Sequence, residues 1–158
     1  MSKIIIYHGG TETVENPICK FGRKNLDFGQ GFYVTDFREQ AVTWANNKKT
    51  AILNRYKLDK ATILQNAQCK IFKAYDKEWL EFIVGNRSGQ ELSKDYDYVE
   101  GGVANDRVVD TINLYIAGLM ELSTALRELS KHQPNNQICI LSQDLINKYL
   151  IFDGTEEL

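Results

Sequence analysis

Apolar positions along the chain form short β-branched runs separated by stretches of helical spacing. Lys3–Tyr7 is continuous and β-branched, the pattern of a buried strand, and Gly9-Gly10-Thr11 ends it. From there to Gly31 the chain is loop-like, with glycines at 22, 29 and 31. Gly31–Thr35 reads as a second strand; alternation puts Phe32 and Val34 on one face and Gly31, Tyr33 and Thr35 on the other. Asp36, with Glu39 three residues on, is a capping pattern for a helix from Phe37 to Lys48 that carries Ala41, Trp44 and Ala45 on one side. Ala51–Leu58, Ala61–Leu64 and Gln68–Phe72 read as strands. Asp76 is positioned to cap a helix over Lys77–Val84, whose apolar side is Trp79, Phe82 and Ile83.

Gly85–Asp95 is polar and reads as a loop before a strand over Tyr96–Glu100. From Val108 the apolar residues Ile112, Tyr115, Leu119, Leu122, Leu126 and Leu129 recur at helical spacing. Gly118 and a Ser123 cap divide that stretch into two helices, and Asp106 is the expected cap of the first. A strand over Ile138–Leu141, a helix over Gln143–Tyr149 and a last strand over Leu150–Phe152 follow. Strands and helices mix without a strict βαβ rhythm, which predicts a single α+β domain over residues 1–158.

Composition narrows the function classes. The chain has 158 residues and is 43% hydrophobic, enough for a core without disulfide staples. Its net charge of −2 gives no global reason to bind nucleic acid or an anionic membrane. Lys48, Lys49, Arg55 and Lys57 are close in sequence and read as a solvated edge. Cys19, Cys69 and Cys139 are odd in number and lack metal-ligand spacing; Cys69 and Cys139 lie in apolar runs and read as buried. No stretch approaches the roughly 20 apolar residues of a membrane span. The apolar run near the N-terminus is too short for a signal peptide, so the expected location is cytoplasmic, with no membrane partner.

Three places carry candidate chemistry. His8 ends a buried strand and is followed by two glycines, which let a ligand approach the backbone. In Asp27-Phe28-Gly29-Gln30-Gly31-Phe32-Tyr33 the glycines precede a strand, unlike the dinucleotide fingerprint, which opens a helix. Gly31 is expected to keep the backbone there open to a ligand, and one of the two strand aromatics to face a cleft. Asn135-Asn136-Gln137 places amides at a strand entry, where Gln137 is held by a rigid element. His132 lies in a polar turn and is expected to be exposed. No paired-carboxylate motif, serine elbow or Walker loop is present, and no metal site is expected.

The order His8-Gly9-Gly10, glycine loop to Tyr33, and late strand opening on Gln137 resembles the His–Tyr–Glu branch of the ADP-ribosyltransferase superfamily. Nearly the whole chain is similar to a small bacterial family of unknown function within it, through YHGG, DFGQGFYVT followed by REQA and WA, FIVGNR, VANDRVVDTI and PNNQICI, from Tyr7 to Ile140. The resemblance implies a split mixed β-sheet with flanking helices and NAD as substrate. It implies that His8 bonds a ribose hydroxyl, that the Gly9 backbone pairs with the nicotinamide amide, and that Tyr33 stacks on the ring. Gly10 and Gly31 would complete the NAD-binding set. Gln137 stands where active relatives carry Glu; it keeps the hydrogen bonds and lacks the charge. The implied activity is mono-ADP-ribosyl transfer to a protein or nucleic-acid acceptor, with toxin or regulator as the role and an antitoxin-like protein as partner. The alternative is a module that holds NAD or an ADP-ribose-like ligand without turnover, or a pure interaction protein.

Overall fold

The computed structural model describes residues 3–46 and 49–158. Two sheets form the frame. The first is antiparallel and three-stranded: β1 (Ile4–Gly10), β3 (Ile52–Leu58) and β7 (Leu150–Glu157), with β3 in the centre. The second has the order β2 (Phe32–Val34), β6 (Asn136–Ile140), β5 (Tyr98–Gly102), β4 (Cys69–Ile71), with its last pair parallel. The architecture is therefore α+β, with one antiparallel and one mixed sheet and the helices α1 (Arg38–Ala45), α2 (Lys60–Asn66), α3 (Lys77–Arg87), α4 (Asp106–Ile116), α5 (Leu122–Leu129) and α6 (Gln143–Tyr149).

Strand alternation builds two cores from the second sheet. Phe32, Val34, Tyr98, Ile138 and Ile140 face the first sheet and meet its Ile6, Tyr56 and Leu58, closed by Ile63 of α2 and Leu145 and Ile146 of α6. The opposite face presents Val99 and Cys139 to Trp79, Leu80 and Ile83 of α3, with Val108 and Ile112 of α4 and Ala125 and Leu129 of α5 behind them. The amphipathic spacing seen in the sequence from Val108 onward is the contact stripe of these last two helices. The two sheets touch at one bridge, where Tyr7 and Thr35 exchange main-chain hydrogen bonds of 2.8 and 2.9 Å. That bridge fixes the β1 and β2 strands side by side.

Several expectations are corrected. Ala61–Leu64 is helix, not strand, because Asp59 caps α2 by accepting from the Thr62 amide and hydroxyl. Asp36 does not cap α1; Phe37 holds that position without a side-chain bond, and the α1 end expected at Lys48 lies outside the described residues. Asn105, not Asp106, caps α4 through a 3.1 Å bond from the Val108 amide, and Glu121 rather than Ser123 precedes α5. The polar stretch from Gly85 begins inside α3, which runs to Arg87. Asp76 does cap α3, 2.9 Å from the Trp79 amide.

Among the described residues no helix is long and apolar enough to cross a membrane. Cys139 is buried and Cys69 half-buried, while Cys19, not singled out in sequence, is buried as well. Of the basic cluster, Arg55 is paired with Asp153 at 3.0 Å, Lys57 lies at 4.0 Å from the same carboxylate, Lys49 is exposed, and Lys48 lies outside the described residues.

Candidate functional site

A cleft of about 490 Å³ opens beside the β1–β2 junction and is lined by His8, Gly9, Gly31, Phe32 and Tyr33 together with Glu12 and Trp44. Of the residues expected at the site from the β1 end and the glycine loop, His8, Gly9, Gly31 and Tyr33 share one cavity, and Gly10 is not among its lining. His8 is the best-defined of them. Its Nδ1 lies 2.7 Å from the Tyr33 main-chain oxygen. A carbonyl can only accept, so Nδ1 carries the proton and the neutral ring has its lone pair on Nε2. Burial lowers the His8 pKa, opposed in part by the bond to Tyr33. The ring packs on Phe32 at a centroid distance of 4.6 Å.

Tyr33 meets His8 through its backbone rather than its ring. Alternation in β2 sends the Tyr33 side chain to the face of Cys139, directly across the ladder, where it leans on the helix-side core. Its hydroxyl donates to the Gly29 carbonyl at 2.6 Å and accepts from the Phe28 amide at 3.0 Å. Burial pushes its pKa far up, so it stays a neutral phenol. Gly29 has φ +97°, a conformation that suits glycine, and the Tyr33 hydroxyl holds that turn in place. The cleft-lining aromatics that sequence reasoning did not place at the site are Phe21 and Trp44. Trp44 shares a helix side with Ala41 and Ala45, which are buried, while Trp44 itself is half-buried and lines the cavity.

The glycines divide by role. A Cβ on Gly9 would lie 1.8 Å from the Ala41 carbonyl oxygen, so Gly9 lets α1 dock on β1. A Cβ on Gly31 would lie 2.6 Å from the Ile140 carbonyl oxygen and 2.7 Å from Cys139 Sγ. β6 thus fills the Cβ direction at Gly31, while Gly31 itself lines the cleft. Gly10 is different, since among the described residues its Cβ would meet only the His8 ring, 3.5 Å from Nε2. It is the glycine that leaves the free nitrogen of His8 uncovered.

Gln137 is not among the residues that line this cleft. It pairs with Gly101, and alternation puts it with Cys139 on the helix-side face of β6. It is 4% exposed, and among the described residues its amide has no hydrogen-bond partner while keeping contact with solvent. Its neighbour Asn136 bonds Glu100, a carboxylate missed in the sequence. Glu100 is buried on the inter-sheet face and held by Lys60 at 3.0 Å, Asn136 at 3.1 Å and the Tyr98 hydroxyl. These partners supply the compensation that a buried charge requires. His132, expected exposed, is half-buried in the turn after α5.

A family model described as a protein of unknown function, DUF3990, matches residues 4–152. The chain belongs to the DUF3990 family. The match runs from the start of β1 into β7, so this DUF3990 protein carries its cleft, its second sheet and helices α1 to α6 inside the family's span, with the rest of β7 beyond it. No curated protein matches the chain. No solved structure matches it either.

Proposed function

We propose that this DUF3990 protein is an NAD-dependent mono-ADP-ribosyltransferase whose nicotinamide end sits in the His8 cleft. The observation that carries the reading is the His8–Tyr33 arrangement. One cavity gathers His8, Gly9, Phe32, Tyr33 and Trp44, and the His8 proton is committed to the Tyr33 carbonyl. The free Nε2 then accepts a hydrogen bond from a ribose hydroxyl, and the lowered pKa keeps it an acceptor at neutral pH. The Gly9 backbone offers pairing to the nicotinamide amide, and the cleft aromatics offer a surface for the ring. This matches, in chain order, the ADP-ribosyltransferase-like pattern that the motifs resemble.

In the proposed reaction the bond between ribose C1′ and the nicotinamide ring nitrogen breaks. Its electron pair neutralises the pyridinium, and positive charge develops on the ribose. An acceptor nucleophile, on a protein or a nucleic acid, forms a bond to C1′ and releases its proton. Positioning in a partly dry cleft supplies much of the acceleration, because the leaving group is already good. Gln137 is the proposed third residue by chain order; it lies outside the cleft lining and is 4% exposed, so its contact with a ribose hydroxyl needs the ligand to reach past that lining. An antitoxin-like protein covering the cleft is the partner this reading suggests.

One observation favours a second reading, NAD binding with little or no turnover. Gln137 is neutral and lies on the far face of β6 from the core shared by the sheets. Nicotinamide release from NAD, followed by chromatography with and without a protein or nucleic-acid extract, separates the two. Release that depends on His8 supports transfer. NAD binding without release supports the binding module, and absence of both removes the NAD reading.

A further inference from the structure

We propose that Glu12 makes the His8 cleft selective for a positively charged aromatic ring. The inference rests on the NAD reading and adds the charge chemistry of its nicotinamide end. Phe21, Phe32 and Trp44 are the aromatics that line the cleft besides the Tyr33 backbone, with aliphatic Val14, Ile18 and Leu26 between them. Among the described residues that line it, Glu12 is the one carboxylate, and no lysine or arginine is present. His8 is held neutral by burial. Glu12 is thus the one carboxylate or cation among the described lining residues, while just outside the lining Lys20 Nζ stands 5.9 Å from the Phe21 ring centroid.

A pyridinium ring suits such a site on both counts. Its delocalised charge is drawn to the negative faces of aromatic rings, best of all to indole. The carboxylate of Glu12, which is exposed, adds a Coulomb attraction that solvent and salt screen. A neutral pyridine of the same shape receives only the apolar part. An anionic ligand would meet repulsion and no cation among the described lining residues.

The position of Glu12 is built into the fold. Asn54, fully buried in the centre of β3, stands opposite His8 in the β1–β3 register. Its Nδ2 donates to the Glu12 carbonyl at 3.0 Å and to the His8 carbonyl at 3.3 Å, while its Oδ1 accepts from the Val14 amide at 2.8 Å. All three bonds go to main-chain atoms of β1 and the loop after it. The loop that bears Glu12 is thus tied to the strand that bears His8, and a side chain far along the sequence sets their spacing.

The test is a calorimetric titration of the full chain with 1-methylnicotinamide, a permanent cation, and with neutral nicotinamide. NAD is titrated in parallel, and all three ligands are repeated on Glu12→Gln. The wild type should prefer the cation, and Glu12→Gln should weaken it by about two- to fivefold, the scale of a partly exposed ion pair. Neutral nicotinamide should be unaffected, and the preference should shrink as salt rises. If NAD binds but wild type and variant treat the cation alike, Glu12 has no such role and the NAD reading stands. If the wild type binds none of the three ligands, both fall.

Discussion

His8 and Tyr33 are joined by one hydrogen bond, donated from the imidazole Nδ1 to the Tyr33 main-chain carbonyl across 2.7 Å. The bond fixes the tautomer, couples β1 to β2 next to the Tyr7–Thr35 bridge, and aims Nε2 away from its partner. It also ties the protonation of His8 to folding.

Stability should fall below neutral pH because of His8. Its folded pKa lies below the ordinary 6.5, with burial as the main cause. As pH drops through about 6.5 the unfolded chain takes up a proton that the native ring refuses, so unfolding is favoured. The loss continues until the lower, folded pKa is reached. Thermal unfolding of the wild type between pH 8 and pH 5 should therefore decline more steeply than that of His8→Gln. Parallel profiles would show that the His8 environment costs a proton nothing.

Removing the Tyr33 hydroxyl should cost stability rather than ligand affinity. Tyr33→Phe leaves the Phe28 amide and the Gly29 carbonyl without this partner, a loss of about 1–3 kcal/mol. The ring and the His8 bond to the backbone remain. Urea unfolding beside NAD calorimetry measures both effects. An intact stability with lost NAD affinity would assign the hydroxyl to the ligand instead.

Gly31→Val should destabilise the fold. The added Cβ meets the Ile140 carbonyl and Cys139 Sγ inside van der Waals contact, an overpacking worth about 1–3 kcal/mol or more. Denaturant midpoints of Gly31→Val and Gly10→Ala make the comparison. The first should fall well below wild type and the second should stay close to it, since a Cβ at Gly10 is in ordinary contact. Equal midpoints would mean that β6 yields.

Asn54→Ala should loosen the loop over the cleft before anything else. Two carbonyls and one amide lose their shared partner, at a cost of about 2–4 kcal/mol for a buried group with three bonds. Hydrogen exchange followed by mass spectrometry should show faster exchange at Val14 and its neighbours. Unchanged exchange there would show that the loop holds itself.

What could be read in the sequence follows the range of the physics. Local signals were sufficient where one residue decides. The Asp76 cap of α3 lies where its pattern puts it, and the β-branched run does form β1, but the strand continues through Gly9 and Gly10 and only Ile6 of it is buried. Adjacent alternatives were not separable: Asn105 and Asp106 are both good caps, and only the backbone selects the first. Ala61–Leu64 has a strand-like composition, but the Asp59 cap and packing of Ile63 into the inter-sheet core make it a helix. His8, Gly9, Gly31 and Tyr33 carried a recognisable pattern. The roles of the three glycines did not, since each depends on what lies opposite: Ala41 for Gly9, Ile140 for Gly31, the His8 ring for Gly10. Glu12, Trp44 and Asn54 join the site through contacts across the chain and have no motif of their own.

The central claim is that the His8 cleft holds the nicotinamide end of NAD against the free Nε2. Gly10 offers the most direct access to it. Among the described residues a Cβ there would stand 3.5 Å from Nε2 and 3.8 Å from His8 Cδ2 and meet nothing else within 4 Å beyond its chain neighbours, so Gly10→Val adds bulk beside the nitrogen. NAD should be titrated calorimetrically into wild type and Gly10→Val, with thermal midpoints taken on the same samples. The account predicts saturable binding to the wild type, at least about tenfold weaker binding to the variant, a change of about 1.4 kcal/mol, and similar midpoints. Equal NAD affinity in two equally stable proteins, or no binding to the wild type at all, would contradict it.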